Sequence, residues 1–400
     1  MPAPYFFLRP LLAPSLAWAA FDWQTSHPEA VRLADLTHCF TESGAAPLAA
    51  KTPFALPADP AWLGQSEFIQ KFEANQVIFI LPANSLDDAE NLARLTALRK
   101  SGYHCALSVN QGELVRQIPV AAFDYLQLDA DFARHQLTAP ELAYINAAGF
   151  LKIAQAVDSH ATFDWLASKD FDLCDSTFVT ALTPTAGKDP DLTRLKLLKL
   201  LSLVAQDADV REIEEIFREE PKLSYNLLRL VNSVAVGAKT TIGSFSRAIA
   251  ILGRRQLQRW LQLLIYANQL ANGNAPNPLM QLAAARGRQM ELLASAIEPP
   301  IAIADFGETA FMAGIFSLLD VLLKMPMSDI LDALPLQQDI RDALGARQGI
   351  LGHLLSAIVA GETGNFTAAA DTLAQIGISP ARHAKAQTAA FFWASGINIG

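Results

Sequence analysis

The chain has 400 residues, 51% of them hydrophobic, with 31 basic and 40 acidic side chains and a net charge of −9. That length exceeds one ordinary core, so two domains are expected, and the apolar content excludes global disorder. The charge is uneven: residues 1–190 carry 12 basic and 21 acidic groups, residues 191–400 carry 19 of each. An acidic first half argues against nucleic-acid binding there, since it repels a phosphate backbone. The second half holds 13 Arg against 6 Lys, so an anionic partner is expected to dock on that side. Three scattered cysteines, Cys39, Cys105 and Cys174, lack metal-site spacing and point to free thiols in a reducing, cytoplasmic setting.

In chain order, Tyr5 to Phe21 is apolar, but Arg9, Pro10 and Pro14 interrupt it and no basic residue precedes it, so it is not read as a signal peptide. No run approaches the about 20 uninterrupted apolar residues of a membrane span. Strands are expected at 76–81, 103–109, 123–128, 150–154 and 171–173, alternating with helices near 86–100, 140–148 and 161–168. Short loops between alternating strands and helices are the mark of parallel βα units, and their number suggests a barrel, its completeness at the start left open. Residues 183–191 (TPTAGKDPD) form a polar boundary, so the domains are placed at 1–185 and 190–400. Beyond it the pattern is helical. Leu257, Trp260, Leu261 and Leu264 fall on one apolar stripe, which makes Trp260 a core residue. The last helices meet in a hairpin at Gly361–Asn365.

The stretch EPKLSYNLLRLVNS, followed by a loop and SFSRAIAILGRRQLQRW, spans Glu220 to Trp260. Its Pro221, Leu223, Leu230, Asn232-Ser233, Ser244, Leu252-Gly253 and Trp260 closely resemble the HDOD domain, a helical relative of the HD hydrolases in bacterial signalling proteins. Asn232 and Ser233 would end one helix with polar side chains, and Gly253 would allow close approach within the next. In HD hydrolases a His-Asp pair binds metal. The matching stretch here is Gly314 to Asp320 (GIFSLLD), with Ser317-Leu318 at the pair and a lone Asp320 left as a surface or capping residue.

The first half resembles an EAL domain, the barrel that hydrolyses cyclic di-GMP with divalent metals held by carboxylates at strand ends. The signature glutamate falls near Trp18-Ala19-Ala20, where no acid stands. The family's other acidic motifs become Val77–Leu81, Ala106–Asn110, Gln127-Leu128-Asp129, Ala154–Asp158 and Asp175-Ser176. Asp129 and Asp158 alone cannot supply the oxygens that two hard cations need. Arg9-Pro10 is only a loose match to the family's ligand-binding opening.

The expected fold class is therefore α/β plus all-α: a degenerate EAL-type (β/α) barrel followed by a helical HDOD domain. The expected function is a non-catalytic bacterial signalling protein that acts through protein contacts, with no cofactor, no metal, no membrane and no nucleic acid. The partner surface is placed at Asn232, Ser233, Gly253, Arg254, Arg255 and Arg259, where forked cations can meet partner carboxylates. The alternatives are a sensor that binds cyclic di-GMP or another nucleotide without hydrolysis, and a residual metal-dependent phosphohydrolase.

Overall fold

The structure is a computed structural model. It describes residues 3–28, 31–65, 69–181, 258–266, 277–301, 303 and 305–397, with a few isolated positions between 199 and 256. Two compact units are present. The first comprises Met1–Ala181 with Ala360–Ala370 and Pro380–Thr388; the second comprises Leu182–Val359, Asp371–Ser379 and Ala389–Gly400.

The first unit is a closed barrel of eight strands in sequence order. They are β1 (Phe6–Leu12), β2 (Trp18–Thr25), β3 (Phe54–Pro57), β4 (Val77–Leu81), β5 (His104–Val109), β6 (Tyr125–Asp129), β7 (Leu151–Gln155) and β8 (Leu173–Asp175). The strands β2 to β8 run parallel, but β1 is antiparallel to both its neighbours. The expectation of purely parallel βα units is corrected here. The apolar run at the N-terminus forms a hairpin. It turns through Leu16 at φ 66, and the Ala13 N–H bonds the Ala17 carbonyl at 2.9 Å.

The barrel interior is filled by Leu11, Ala20, Ala55, Ile78, Ile80, Ala106, Ile153 and Leu173. Because side chains alternate along a strand, these positions fix which residues reach the rim. Helices α1 (Leu33–Glu42), α2 (Ala46–Ala49), α3 (Ala89–Lys100), α4 (Ala130–His135), α5 (Ala139–Ala148) and α6 (His160–Ser168) connect the strands. Their limits follow local chemistry. In α5, Thr138 and Glu141 form a reciprocal capping box, Pro140 sits in the first turn, and Gly149 closes the helix at φ 78.

In the second unit the described helices are α7 (Pro278–Ala294), α8 (Phe306–Phe316), α9 (Leu319–Leu323), α10 (Met327–Ala333) and α11 (Gln338–Ala346). The helices α12 (Gly349–Glu362), α13 (Phe366–Gln375) and α14 (Pro380–Ser395) contribute residues to both units. The barrel unit is thus larger than the 1–185 expected for it. Phe7 on β1 stacks on Phe366 with ring centroids 5.3 Å apart, so the returning segments cover aromatic surface that β1 would otherwise expose. The stretches Phe306–Leu323 and Gln338–Glu362 are long and apolar enough to cross a membrane by composition; 61% of the first and 44% of the most apolar 18 residues of the second are buried within the protein.

Candidate functional site

The carboxyl ends of β2 to β8 and the amino end of β1 share one rim, because β1 alone runs backwards. Strand alternation places Arg9, Asp22, Gln24, Ile80, Ser108, Gln127, Asp129, Gln155 and Asp175 on the inner parity near that rim. In such barrels this is the end that carries sites.

The charges there are already matched within the chain. Arg9 donates from Nη2 to Asp22 Oδ2 at 2.6 Å and to Gln155 Oε1 at 3.2 Å. Gln24 Nε2 donates to the other oxygen of Asp22 at 2.8 Å. The Asp22 side chain is fully buried and that of Arg9 is 12% exposed, so this is a buried ion pair. Asp175 accepts from the backbone N–H of Val157 at 3.3 Å and of Thr177 at 3.0 Å. Burial raises its pKa, opposed by the Thr177 N–H and the Arg9 charge. Sequence reasoning took Arg9 for a loose ligand-binding match and missed Asp22. The signal was an acid inside the otherwise aromatic run Phe21-Asp22-Trp23.

The two retained acids have local tasks. Asp129 caps α4, accepting from Asp131 N–H at 2.9 Å and Phe132 N–H at 3.0 Å. Asp158 is exposed; Thr162 Oγ1 donates to it at 2.8 Å, and this bond lowers its pKa. Among the described residues, no group of three or more His, Cys, Asp or Glu is placed to hold a metal ion. A divalent cation of the Mg or Ca kind takes about six or more oxygens and disfavours a neighbouring guanidinium. With Ser108, Gln127 and Gln155 on the strand ends, Arg9 beside buried Asp22, and buried Asp175 taken by backbone N–H groups, this rim does not fit the divalent metals that an EAL resemblance implies.

Beside the ion pair the mouth opens into a cavity of about 980 Å³, lined among others by Gln24, Trp62, Asn84, Asn91, Ser108 and Gln127. Its charged lining residues are engaged in the fold: Asp59 caps the short helical turn Pro60–Gly64, Asp88 caps α3, and Arg94 pairs with Glu90.

In the second unit, Ser317 is buried where the hydrolase histidine would stand. Arg286 Nη1 donates to its Oγ at 2.7 Å, and that Oγ donates to the Gly314 carbonyl at 2.7 Å. A buried guanidinium fills this place, so a divalent metal does not fit here either. Gly314 is required by packing: a Cβ there would lie 2.6 Å from the Gly287 Cα where α7 and α8 cross. Asp320 sits in the first turn of α9 and accepts from the Val321 N–H at 2.9 Å, a local backbone bond.

Of the expected partner surface, Asn232, Ser233, Gly253, Arg254 and Arg255 lie outside the described residues. Arg259 is described, and its charge is used inside the domain. It pairs with Glu291, whose other oxygen takes Arg288 at 2.6 Å, and its guanidinium lies over the Phe311 ring at 4.9 Å. Arg259 is therefore corrected from a free partner cation to a packing residue. Trp260 is buried and packs against Trp393 at 5.9 Å, as the apolar stripe required.

Residues 192–334 match the family profile of the HDOD domain. The chain is 23% identical over 293 residues to the uncharacterized protein YuxH of Bacillus subtilis (strain 168), covering 72% of this chain and 69% of that protein. It is 31% identical over 149 residues to the cyclic di-GMP phosphodiesterase CdgJ of Vibrio cholerae, covering 37% of this chain and a third (33%) of that relative's length. Among solved structures, the manganese/cy-diGMP complex of Klebsiella pneumoniae BlrP1 shares 16% identity at a TM-score of 0.36, over 43% of this chain and 54% of that one. The EAL domain of Mycobacterium smegmatis DcpA shares 15% identity at a TM-score of 0.35, over 43% of this chain and 88% of that one. Residues 192–334 are therefore an HDOD domain, carried behind a closed eight-stranded barrel.

Proposed function

We propose that this protein is a non-catalytic component of cyclic di-GMP signalling that acts through contacts with other proteins. The observation that carries the reading is the barrel rim. Ser108, Gln127 and Gln155 stand on the strand ends, and the Arg9–Asp22 ion pair occupies the mouth. Phosphodiester hydrolysis by metal-activated water needs carboxylates that hold the cations and lower the water pKa, and amides and a hydroxyl do neither. The link to cyclic di-GMP rests on the HDOD domain and on the activity for which the Vibrio relative is named. A cytoplasmic setting agrees with the cysteines: burial pushes the Cys105 and Cys174 thiols up to about 12, which keeps them protonated and unreactive.

The test is manganese binding by titration calorimetry on chelator-treated protein. No stoichiometric binding is expected in the micromolar range. One or two tightly bound ions per chain would overturn the reading. A second reading is favoured by the cavity of about 980 Å³, a volume within the usual range for small-molecule sites. In that reading the barrel senses a ligand without cleaving it. A melting shift of several degrees with micromolar cyclic di-GMP, without hydrolysis, would select it over the first.

A further inference from the structure

The seam that closes the barrel is short. Because β8 has three residues, it pairs with β1 only at Leu11↔Asp175 and Leu12↔Cys174. Between Phe6 and Pro10, among the described residues, no strand lies beside the flank of β1 that faces away from β2. Which backbone groups lie on that flank follows from the register. The Phe21 N–H bonds Pro53 on the β3 side, so Phe21 and its partner Pro10 do not exchange ladder bonds. By alternation, Phe6, Leu8 and Pro10 all turn their backbone groups to the open flank. Pro10 has no N–H to satisfy there, which is where a strand tolerates proline.

The returning helix α14 supplies what the missing strand would. Leu8 N–H donates to Gln387 Oε1 at 2.9 Å, and Gln387 Nε2 reaches the Leu8 carbonyl at 3.5 Å. A carboxamide has the donor and acceptor of a peptide group, so this side chain replaces one strand residue. One helical turn earlier, His383 is 1% exposed and lies against Phe7 at 4.9 Å and Tyr5 at 6.1 Å, with the Phe6 backbone near enough to act on its ring. Neither ring nitrogen makes a hydrogen bond of normal geometry. The spacing is matched: four helical residues rise about 6 Å and two strand residues about 6.7 Å, so His383 meets Phe6 as Gln387 meets Leu8. The end of α12 and the start of α13 complete the cover. The Arg9 guanidinium lies over Phe366 at 5.4 Å, and a Cβ on Gly361 would come 2.9 Å from the Phe7 ring.

An uncovered strand flank is a template for pairing, and Tyr5-Phe6-Phe7-Leu8 is uncharged and strongly β-forming. We propose that residues 380–388 are a latch on the open flank of β1, and that in the unlatched chain this flank pairs antiparallel with the same flank of a second copy. A two-fold axis beside Leu8 brings identical segments together, which makes the contact self-complementary and closed.

The test uses the full chain with Gln387→Met, which keeps the side-chain length and removes the amide. Hydrogen exchange over 6–10 is expected to rise at least tenfold at low concentration, with 77–81 of β4 unchanged. Sedimentation is expected to show a larger dimer fraction than the wild type. Adding Leu8→Pro, which deletes the flank N–H without touching the β2 ladder, is expected to return the monomer. If Gln387→Met does not fold, Gln387→Asn, which withdraws the amide by one methylene, is read in the same way. Unchanged exchange over 6–10, equal acceleration of 77–81, or no rise in dimer at any concentration would each overturn the proposal.

Discussion

Arg9 and Asp22 form a buried ion pair at the mouth of the barrel. Asp22 is fully buried, and its two oxygens are taken by Arg9 and Gln24. Removing one partner of a buried pair strands the other charge, at a cost of about 3–5 kcal/mol. Asp22→Asn is therefore expected to lower stability by about 3 kcal/mol in urea unfolding, and Arg9→Met/Asp22→Leu to recover most of it. Equal losses in the single and double variants would show that the pair itself is unimportant. The sequence displayed the loss of acids at Ser108, Gln127 and Gln155, because substitution in a motif is visible one residue at a time. It did not display the pairing, because Arg9 and Asp22 meet only through the antiparallel register of β1 and β2. The role of Asp129 was hidden for a related reason. A retained acid reads as a ligand until the helix it caps is placed directly behind it.

At the scale of elements, β4 to β8 were legible because each is a short apolar run bounded by turn residues. The first three strands were not. Arg9 and Pro10 break the apolar run of β1, yet the Arg9 side chain enters an ion pair and the Pro10 nitrogen, which has no N–H, lies on the open flank, so neither breaks the strand. Helix α14 was not singled out in the sequence, since nothing local marks His383 and Gln387 as partners of a strand more than 370 residues earlier. The buried histidine has a consequence for pH. Burial lowers its pKa to about 4 from the ordinary 6.5, with the Phe6 backbone opposing. Between those values the unfolded chain binds more protons than the folded one. Stability is therefore full above about pH 6.5 and falls as the pH drops toward 4, by about 3 kcal/mol at most. Asp175, with a raised pKa, works in the opposite direction, so the effect is read as a difference between variants. Melting temperature is expected to fall more steeply from pH 7 to pH 5 in the wild type than in His383→Gln. Parallel profiles would mean that His383 is not buried against β1.

At the scale of the whole molecule, the HDOD domain was legible from the run between Glu220 and Trp260, and the family match over 192–334 includes it. The structure adds physical reasons inside the matched region: Gly314 for the crossing of α7 and α8, and Arg286 with Ser317 where a metal pair would stand. It also removes Arg259 from the charged surface, because Glu291 and Phe311 hold it. What the sequence could not display is the composition of the first unit, which takes back residues 360–370 and 380–388 from the far end of the chain. In both units the polar groups at the positions where the sequence resemblances imply metal ligands are bonded within the chain. The most direct test is incubation of the purified protein with cyclic di-GMP and Mg²⁺ or Mn²⁺, following linear product by chromatography. No product above a protein-free control is expected; product that accumulates with time and disappears in Asp129→Asn, which keeps the α4 cap but not the carboxylate, would contradict the account.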